Sequence, residues 1–280
     1  ISFTTSKREL VQALTFAATG LSRRPVVPVL AGMRLEVTAG IVTLAGFDYD
    51  MTAQTSVPAT GTVAGVILPR GRELLQAVKS LPGGKGAEVT ATAGEHGLTL
   101  TAGGVTATVE LLPMDDYPQL PTMPEAAGVM DSGAFAAAVG RVVEASGRDD
   151  TLPVFTTVHL DMAPEALRMV ATDRYRLATE AIEWTAGNPM EQRKANIPAR
   201  ELAAFAGKVA KNGKVSIYLD DNRAGFAGFS DGERSIIIHT VEGDYVRWES
   251  LIMQDSAASA MVEAPQLSAA LKRAAGQSER

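Results

Sequence analysis

In this 280-residue sequence, the residues whose types and spacing come nearest to a catalytic or metal-binding pattern are four pairs of aspartates. Two neighbouring carboxylates can act as general acid and base or can hold a divalent cation. Each pair falls at a predicted turn, where an Asp side chain commonly hydrogen-bonds to the local backbone. We therefore interpret them as turn residues and keep a metal-dependent hydrolase as an alternative. The pairs are Asp48/Asp50, Asp115/Asp116, Asp149/Asp150 and Asp220/Asp221.

Other signatures of catalysis or of a bound cofactor are absent from the sequence. The three histidines, His96, His159 and His239, are far apart and match no metal-ligand spacing. The glycine-rich segment 82–86 lacks the spacing of a phosphate-binding loop and follows a predicted helix. The chain has no Cys, which excludes disulfides and thiolate sites and fits a cytoplasmic protein, and no run of about 18 apolar residues predicts a membrane span. We predict a non-catalytic protein without metal or cofactor.

The distribution of charge is more informative than its total. The net charge of −6, from 26 basic and 32 acidic residues, by itself argues against a nucleic-acid partner. The predicted helical segments nevertheless carry a net charge of +12 and the remainder carries −18. Glu is as good a helix former as Lys, so helix propensity does not explain this bias. A basic helical face suits sequence-independent contact with phosphates, and an ordinary solvated face is the alternative. The segments are 1–24, 69–86, 132–148, 198–214 and 265–273.

The secondary-structure elements that would carry these aspartates and basic residues occur twice in the sequence, since residues 6–50 match residues 131–175 at a constant shift of 125. The matched apolar residues first follow helical spacing and then the alternation of a strand. Asp48 then coincides with Asp173. The matched helical positions are Leu10, Ala13, Leu14 and Ala17 with Phe135, Ala138, Val139 and Val142.

The match continues into the second half of each repeat and begins a third time. Asp116-Tyr117 near the end of the first repeat corresponds to Asp244-Tyr245 near the end of the second. Leu267 and Leu271 restart the helical pattern close to the end of the sequence. We predict domains at 1–122 and 128–246, and the first helix of an incomplete third domain at 257–280.

Each repeat reads as a helix, three or four strands, a second helix and three more strands. Connections this short favour antiparallel sheets with helices packed on one face, so the predicted fold class is α+β. The proline-rich segment 117–124 is typical of an extended linker between domains. In the first repeat the strands are predicted near 33–38, 41–47, 50–57, 62–68, 87–93, 97–102 and 105–112.

Three sequence strings identify a family that this chain resembles. They are Ala-Thr-Asp-Arg-Tyr-Arg-Leu-Ala at 171–178, Arg-Pro-Val-Val-Pro-Val-Leu at 24–30 and Leu-Pro-Met-Asp-Asp-Tyr-Pro at 112–118. Together with the repeats they resemble the bacterial sliding clamp, the β subunit of DNA polymerase III, and residues 148–153 resemble its actinobacterial members. The resemblance implies three clamp domains per chain, with antiparallel sheets outside and two helices per domain inside. Two chains would form a non-catalytic ring that encircles duplex DNA without sequence specificity.

The resemblance also implies partners and site residues. The ring would tether the polymerase III catalytic subunit, the clamp loader and other proteins that carry a short clamp-binding peptide, and no membrane is involved. The peptide would dock in a pocket between the second and third domains. On this basis the expected pocket residues are Phe155, Thr172, Arg174, Tyr175, Arg176, Leu177, Arg247 and Trp248. The expected DNA-facing residues are Arg24, Arg72, Lys79, Arg141, Arg148, Lys208 and Lys211.

The sequence departs from the family pattern in two places. Glu242-Gly243 stands where the family usually has Phe-Pro, and Trp248 could fill or narrow the pocket. Most of the third domain is missing and the sequence begins at Ile1, so we expect a trimmed chain that by itself neither closes a standard ring nor holds a peptide with normal affinity. A clamp paralogue, such as an inhibitor-tolerant second copy, is a further alternative.

Overall fold

The computed structural model describes residues 1–84, 86–187, 192–209, 212–220, 225–252 and 258–278. The chain divides into two compact units, Ile1–Tyr245 and Val246–Arg280. Both sequence repeats lie within the first unit. Within the described ranges no helix is both long and apolar enough to cross a membrane.

The first repeat begins with a strand that the sequence analysis did not predict. In this strand Phe3 and Thr5 are buried while their neighbours are half-buried, which is the alternation of a strand, but the many hydroxyl side chains conceal it. Ser6 ends the strand and caps the first helix by accepting a hydrogen bond from the Glu9 backbone N–H. The elements are β1 (Ser2–Ser6), α1 (Lys7–Ala17), β2 (Arg34–Thr38), β3 (Ile41–Phe47), β4 (Met51–Pro58), β5 (Thr60–Val63), β6 (Gly65–Ile67), α2 (Gly71–Ser80), β7 (Glu88–Gly94), β8 (Gly97–Ala102) and β9 (Val105–Val109).

The second repeat has the same order of elements. Asp131 takes the capping role of Ser6, since its carboxylate accepts a hydrogen bond of 2.8 Å from the Ala134 N–H. The elements are β10 (Ala126–Asp131), α3 (Ser132–Val142), β11 (Thr157–Met162), β12 (Leu167–Thr172), β13 (Leu177–Ile182), β14 (Trp184–Ala186), β15 (Arg193–Pro198), α4 (Ala199–Ala206), β16 (Lys214–Leu219), β17 (Phe226–Ser230) and β18 (Arg234–His239).

In the described ranges the strands form three sheets, and every pairing within them is antiparallel. The largest sheet, in the order β14-β10-β16-β17-β18-β4-β3-β2-β6, runs across the junction of the two repeats because β18 pairs with β4. The other two sheets have the orders β5-β1-β7-β8-β9 and β13-β12-β11-β15. The predicted α+β class with antiparallel sheets and few helices is confirmed.

The four helices of the repeats form a continuous row. α1 packs against α2 in the first repeat, and α3 packs against α4 in the second. Between the repeats, the ring of Phe16 in α1 lies 6.4 Å from the ring of Phe205 in α4, edge to face. Arg234 of β18 lies beside this contact, and its guanidinium carbon is 6.0 Å from the centre of the Phe16 ring. The helix order is therefore α2–α1–α4–α3.

The segment that connects the two repeats also packs against the first repeat. Val29, Leu30, Phe47 and Leu68 form a small buried cluster. Leu112, Met114, Tyr117 and Leu120 of the connecting segment cover this cluster.

The second unit contains a short 3₁₀ helix, Trp248–Leu251, and the helix α5 (Ala264–Ser278). In α5 the side chains of Leu267 and Leu271 are 45% and 60% exposed. The apolar pattern of α5 is the one that repeats the first helix of each domain, and its assignment to a third domain stays a prediction.

Candidate functional site

The pocket residues of the second repeat surround the turn that joins β12 to β13. The Asp173 carboxylate accepts hydrogen bonds of 3.0 Å from the backbone N–H groups of Tyr175 and Arg176. The Arg176 side chain adds a hydrogen bond of 2.9 Å from Nε to the second oxygen of Asp173. The backbone and side-chain bonds from Arg176 lower the pKa of Asp173 to about 2. Asp173 therefore stays ionised and holds the turn in one conformation at neutral pH.

Thr172 closes the other side of this turn. Its hydroxyl donates to the Arg176 carbonyl at 2.7 Å and accepts from the Arg174 N–H at 3.1 Å. Arg174 itself has a φ of +80°, the left-handed region that non-glycine residues seldom occupy. The turn thus fixes where the Arg174 side chain leaves the backbone.

Phe155 and Arg174 are brought together although 19 positions separate them in the sequence. The guanidinium carbon of Arg174 lies 5.9 Å from the centre of the half-buried Phe155 ring, a cation–π distance. Leu177 is half-buried, and Tyr175 is 90% exposed at the tip of the turn. The structure therefore places an apolar floor beside an exposed cationic and aromatic rim.

Tyr245 lies in the 243–248 segment that the resemblance places at the border of the pocket, and it supports the turn, a role that the sequence analysis did not assign. Its hydroxyl accepts a hydrogen bond of 3.1 Å from the Thr172 N–H, and its ring stacks on His159 with 4.7 Å between the ring centres. Burial raises the pKa of Tyr245 to about 12. Asn196 completes the support by contacting His159 Nδ1 at 2.7 Å and donating to the Gly243 carbonyl at 2.9 Å. The repeated Asp-Tyr pair was the only signal in the sequence that could have indicated this role.

Two predicted pocket residues, Arg247 and Trp248, belong to the second unit. Arg247 precedes the 3₁₀ helix and Trp248 begins it. Their part in a pocket stays a prediction.

The predicted DNA-facing residues lie partly on helices and partly in the segments that follow them. Arg72 and Lys79 lie in α2 and are exposed. Arg24, Arg148 and Lys208 are exposed in the segments after α1, α3 and α4. Lys211 lies outside the described residues.

Two details reduce the basic character expected of the helices. The observed helices contain eight basic and three acidic residues, a net charge of +5, because the four helices of the repeats are shorter than the predicted segments. Arg141 in the last turn of α3 makes a two-point ion pair with Glu180 of β13, one contact of which measures 3.1 Å. The remaining excess of basic residues belongs to the segments that continue from the helix ends.

One member of each of three aspartate pairs acts on the backbone in the way that turn residues do. Asp48, Asp149 and Asp220 each accept a hydrogen bond of 3.0 to 3.1 Å from a nearby backbone N–H. In the described part of the chain, no three His, Cys, Asp or Glu residues group together as they would to hold a metal ion. Asp221 lies outside the described residues.

Comparison with known proteins gives two matches to domain families. Residues 1–121 match the N-terminal domain of the DNA polymerase III beta subunit, and residues 129–246 match its central domain.

Individual relatives extend this similarity over the whole chain. The chain is 36% identical over 280 residues to the beta sliding clamp of Micrococcus luteus, covering all of this chain and 89% of that protein. It is 35% identical to the beta sliding clamp of Streptomyces coelicolor, covering 97% of this chain and 72% of that protein. A solved sliding clamp from Pseudomonas aeruginosa bound to griselimycin has the same fold, with a TM-score of 0.82 at 23% identity over 91% of this chain and 69% of that one.

Proposed function

We propose that this chain, which belongs to the β sliding clamp family of bacterial DNA polymerase III, is a non-catalytic processivity subunit of the replicative polymerase. The observation that carries this proposal is the 36% identity to a beta sliding clamp along the entire chain. The resemblance inferred from the repeats and strings, including its actinobacterial character, is confirmed. The hydrolase alternative has no support, because the relatives are clamps and because Asp48 and Asp149 accept hydrogen bonds from the backbone of their own turns.

Contact with DNA in this proposal comes from the row of four helices and the basic segments that continue from it. Lys and Arg side chains there would meet phosphates, which carry no sequence information. Contacts bridged by water suit a ring that slides, because they do not fix the protein at one position on the duplex. The proposal places the protein in the cytoplasm with the chromosome.

Ring assembly is supported by the free edges of two sheets. β18 and β4 join the two repeats edge to edge. At the repeat spacing, β18 corresponds to β9 of the first repeat, and β4 corresponds to β13 of the second. Within the described residues, β9 and β13 are each the terminal strand of a sheet. An unpaired edge offers N–H and C=O groups to another strand. We propose that β13 pairs with the next domain and that β9 pairs with a second chain.

Partner proteins, including the polymerase catalytic subunit and the clamp loader, would dock a short peptide on the surface formed by Phe155, Leu177 and the 173–176 turn. Pockets of this kind combine an apolar floor with a few polar groups that orient the peptide. A clamp paralogue would share the fold and differ in this pocket, so titration with a clamp-binding peptide distinguishes the two.

Topological binding is tested by loading the full-length protein onto nicked circular DNA and separating the complex by gel filtration. We expect the protein to stay with the circle and to be lost when the same DNA is linearised at unchanged salt. Equal retention on circular and linear DNA would contradict encirclement.

A further inference from the structure

The 173–176 turn does not itself require an arginine at position 174. The first repeat has the same turn at Asp48, where the next residue, Tyr49, has a φ of +74° and the Asp48 carboxylate accepts from the Met51 N–H at 3.0 Å. Tyr49 and Arg174 are equivalent at the repeat spacing of 125 residues. Since two unrelated side chains occupy the same strained backbone position, the identity of Arg174 serves something other than the turn.

The surroundings of Arg174 leave its charge available to a ligand. Its side chain is exposed, and the guanidinium makes no hydrogen bond or ion pair with any residue that the structure describes. Arg176 and Arg141 differ in this respect, since Arg176 is bound to Asp173 and Arg141 is bound to Glu180. Hydrogen bonds from the hydroxyl and backbone of Thr151 lower the pKa of Asp149, and the charge of Arg174 makes a smaller contribution, so this carboxylate already has its own partners.

The position of Arg174 relative to Phe155 defines which ligand it fits. An apolar side chain packed on the Phe155 ring would have the five N–H donors of the guanidinium beside it. A guanidinium matches the planar geometry of a carboxylate and can bind it through two parallel hydrogen bonds.

We propose that Arg174 is a specificity-determining residue that selects partner peptides carrying an Asp or Glu next to the apolar side chain that packs on Phe155. This rests on the proposed docking of partner peptides. The apolar contact supplies binding, and the carboxylate supplies discrimination between partners.

The test uses two peptides that differ by one residue, with Asp or Asn next to the same apolar anchor, titrated against the full-length protein by fluorescence anisotropy. We expect the native chain to prefer the Asp peptide by about fivefold, the upper range for an exposed charge pair. Arg174→Gln should abolish the preference and leave the affinity for the Asn peptide unchanged.

Two further variants separate this role from a structural one. Arg174→Gly suits the left-handed backbone, so it should keep the turn and still lose the preference. Arg8→Gln changes the net charge equally from an exposed position on α1 and should retain the preference. Equal binding of both peptides to the native chain, or a preference that survives in Arg174→Gln, overturns the role of Arg174 alone. Failure of both peptides to bind the native chain overturns the docking proposal as well.

Discussion

Asp48 and Asp173 occupy the same place in the two repeats, yet their pKa values move in opposite directions. Each accepts a backbone N–H in the same turn. Burial, with a smaller contribution from Asp50, raises the pKa of Asp48. Bonds from Arg176 lower the pKa of Asp173. The local sequence therefore determines the turn, and the surroundings of each carboxylate determine its electrostatics.

The consequence for stability differs in sign at the two positions. The lowered pKa of Asp173 means that its ionised form stabilises the fold above its unfolded pKa near 3.8, and that this contribution is lost as the pH falls through about 2. We expect Asp173→Asn to lower the urea midpoint of unfolding at pH 7, and the difference from the native chain to shrink as the pH falls from 4 towards 2.

Asp48→Asn is the matched comparison. The raised pKa of Asp48 means that ionisation opposes folding at neutral pH and that the cost disappears as the pH falls below the folded pKa. Its urea midpoint at pH 7 should equal or exceed that of the native chain. A loss at Asp173→Asn that is as large at pH 2.5 as at pH 7 would rule out a charge-dependent role.

The contact between α1 and β3 depends on two glycines that let backbones touch. α1 continues into a 3₁₀ turn ending at Gly20, and this turn lies directly on Gly46 of β3. A Cβ at Gly46 would overlap the carbonyl oxygen of Ala17, and a Cβ at Gly20 would overlap the carbonyl oxygen of Gly46. Neither backbone atom can move without displacing the end of α1 from the sheet.

We expect Gly46→Ala to lower the free energy of unfolding by about 1–3 kcal/mol, the usual cost of inserting a methyl group into a packed contact. The control is Gly140→Ala in α3, where an added Cβ meets nothing within 4 Å. This change should raise stability by about 0.5–1 kcal/mol through helix propensity. Urea unfolding followed by circular dichroism measures both, and a Gly46→Ala midpoint equal to that of the native chain would contradict the close contact.

At the scale of the whole molecule, the sign of the net charge conceals where the charges lie. The chain carries −6 overall, while the four helices of the two repeats carry a net +3 and lie side by side across the repeat junction. Phosphate binding depends on the local concentration of Lys and Arg and hardly on the total. An acidic protein can therefore present a basic face to DNA.

Because Arg141 is held in an ion pair, we expect it to contribute less to DNA binding than Lys79. Lys79 is exposed in the last turn of α2, whereas Glu180 neutralises Arg141. We expect Lys79→Gln to reduce the slope of log affinity against log salt for short duplex DNA by about 0.9, the value for one phosphate contact. Arg141→Gln should change it less. Fluorescence anisotropy at several salt concentrations measures both slopes, and a larger change for Arg141→Gln would contradict the assignment.

The sequence by itself determined the repeats, the first helix of each repeat, most strands and the family, because these depend on local periodicity and on strings of adjacent residues. It did not predict β1, whose hydroxyl-rich strand has few apolar residues to mark it. Only the tertiary structure decided that β18 pairs with β4. It also decided that Glu180, 39 residues away, neutralises Arg141, and that Arg174 lies against Phe155. These contacts join residues far apart in the chain, and the types of the separate residues do not indicate their partners.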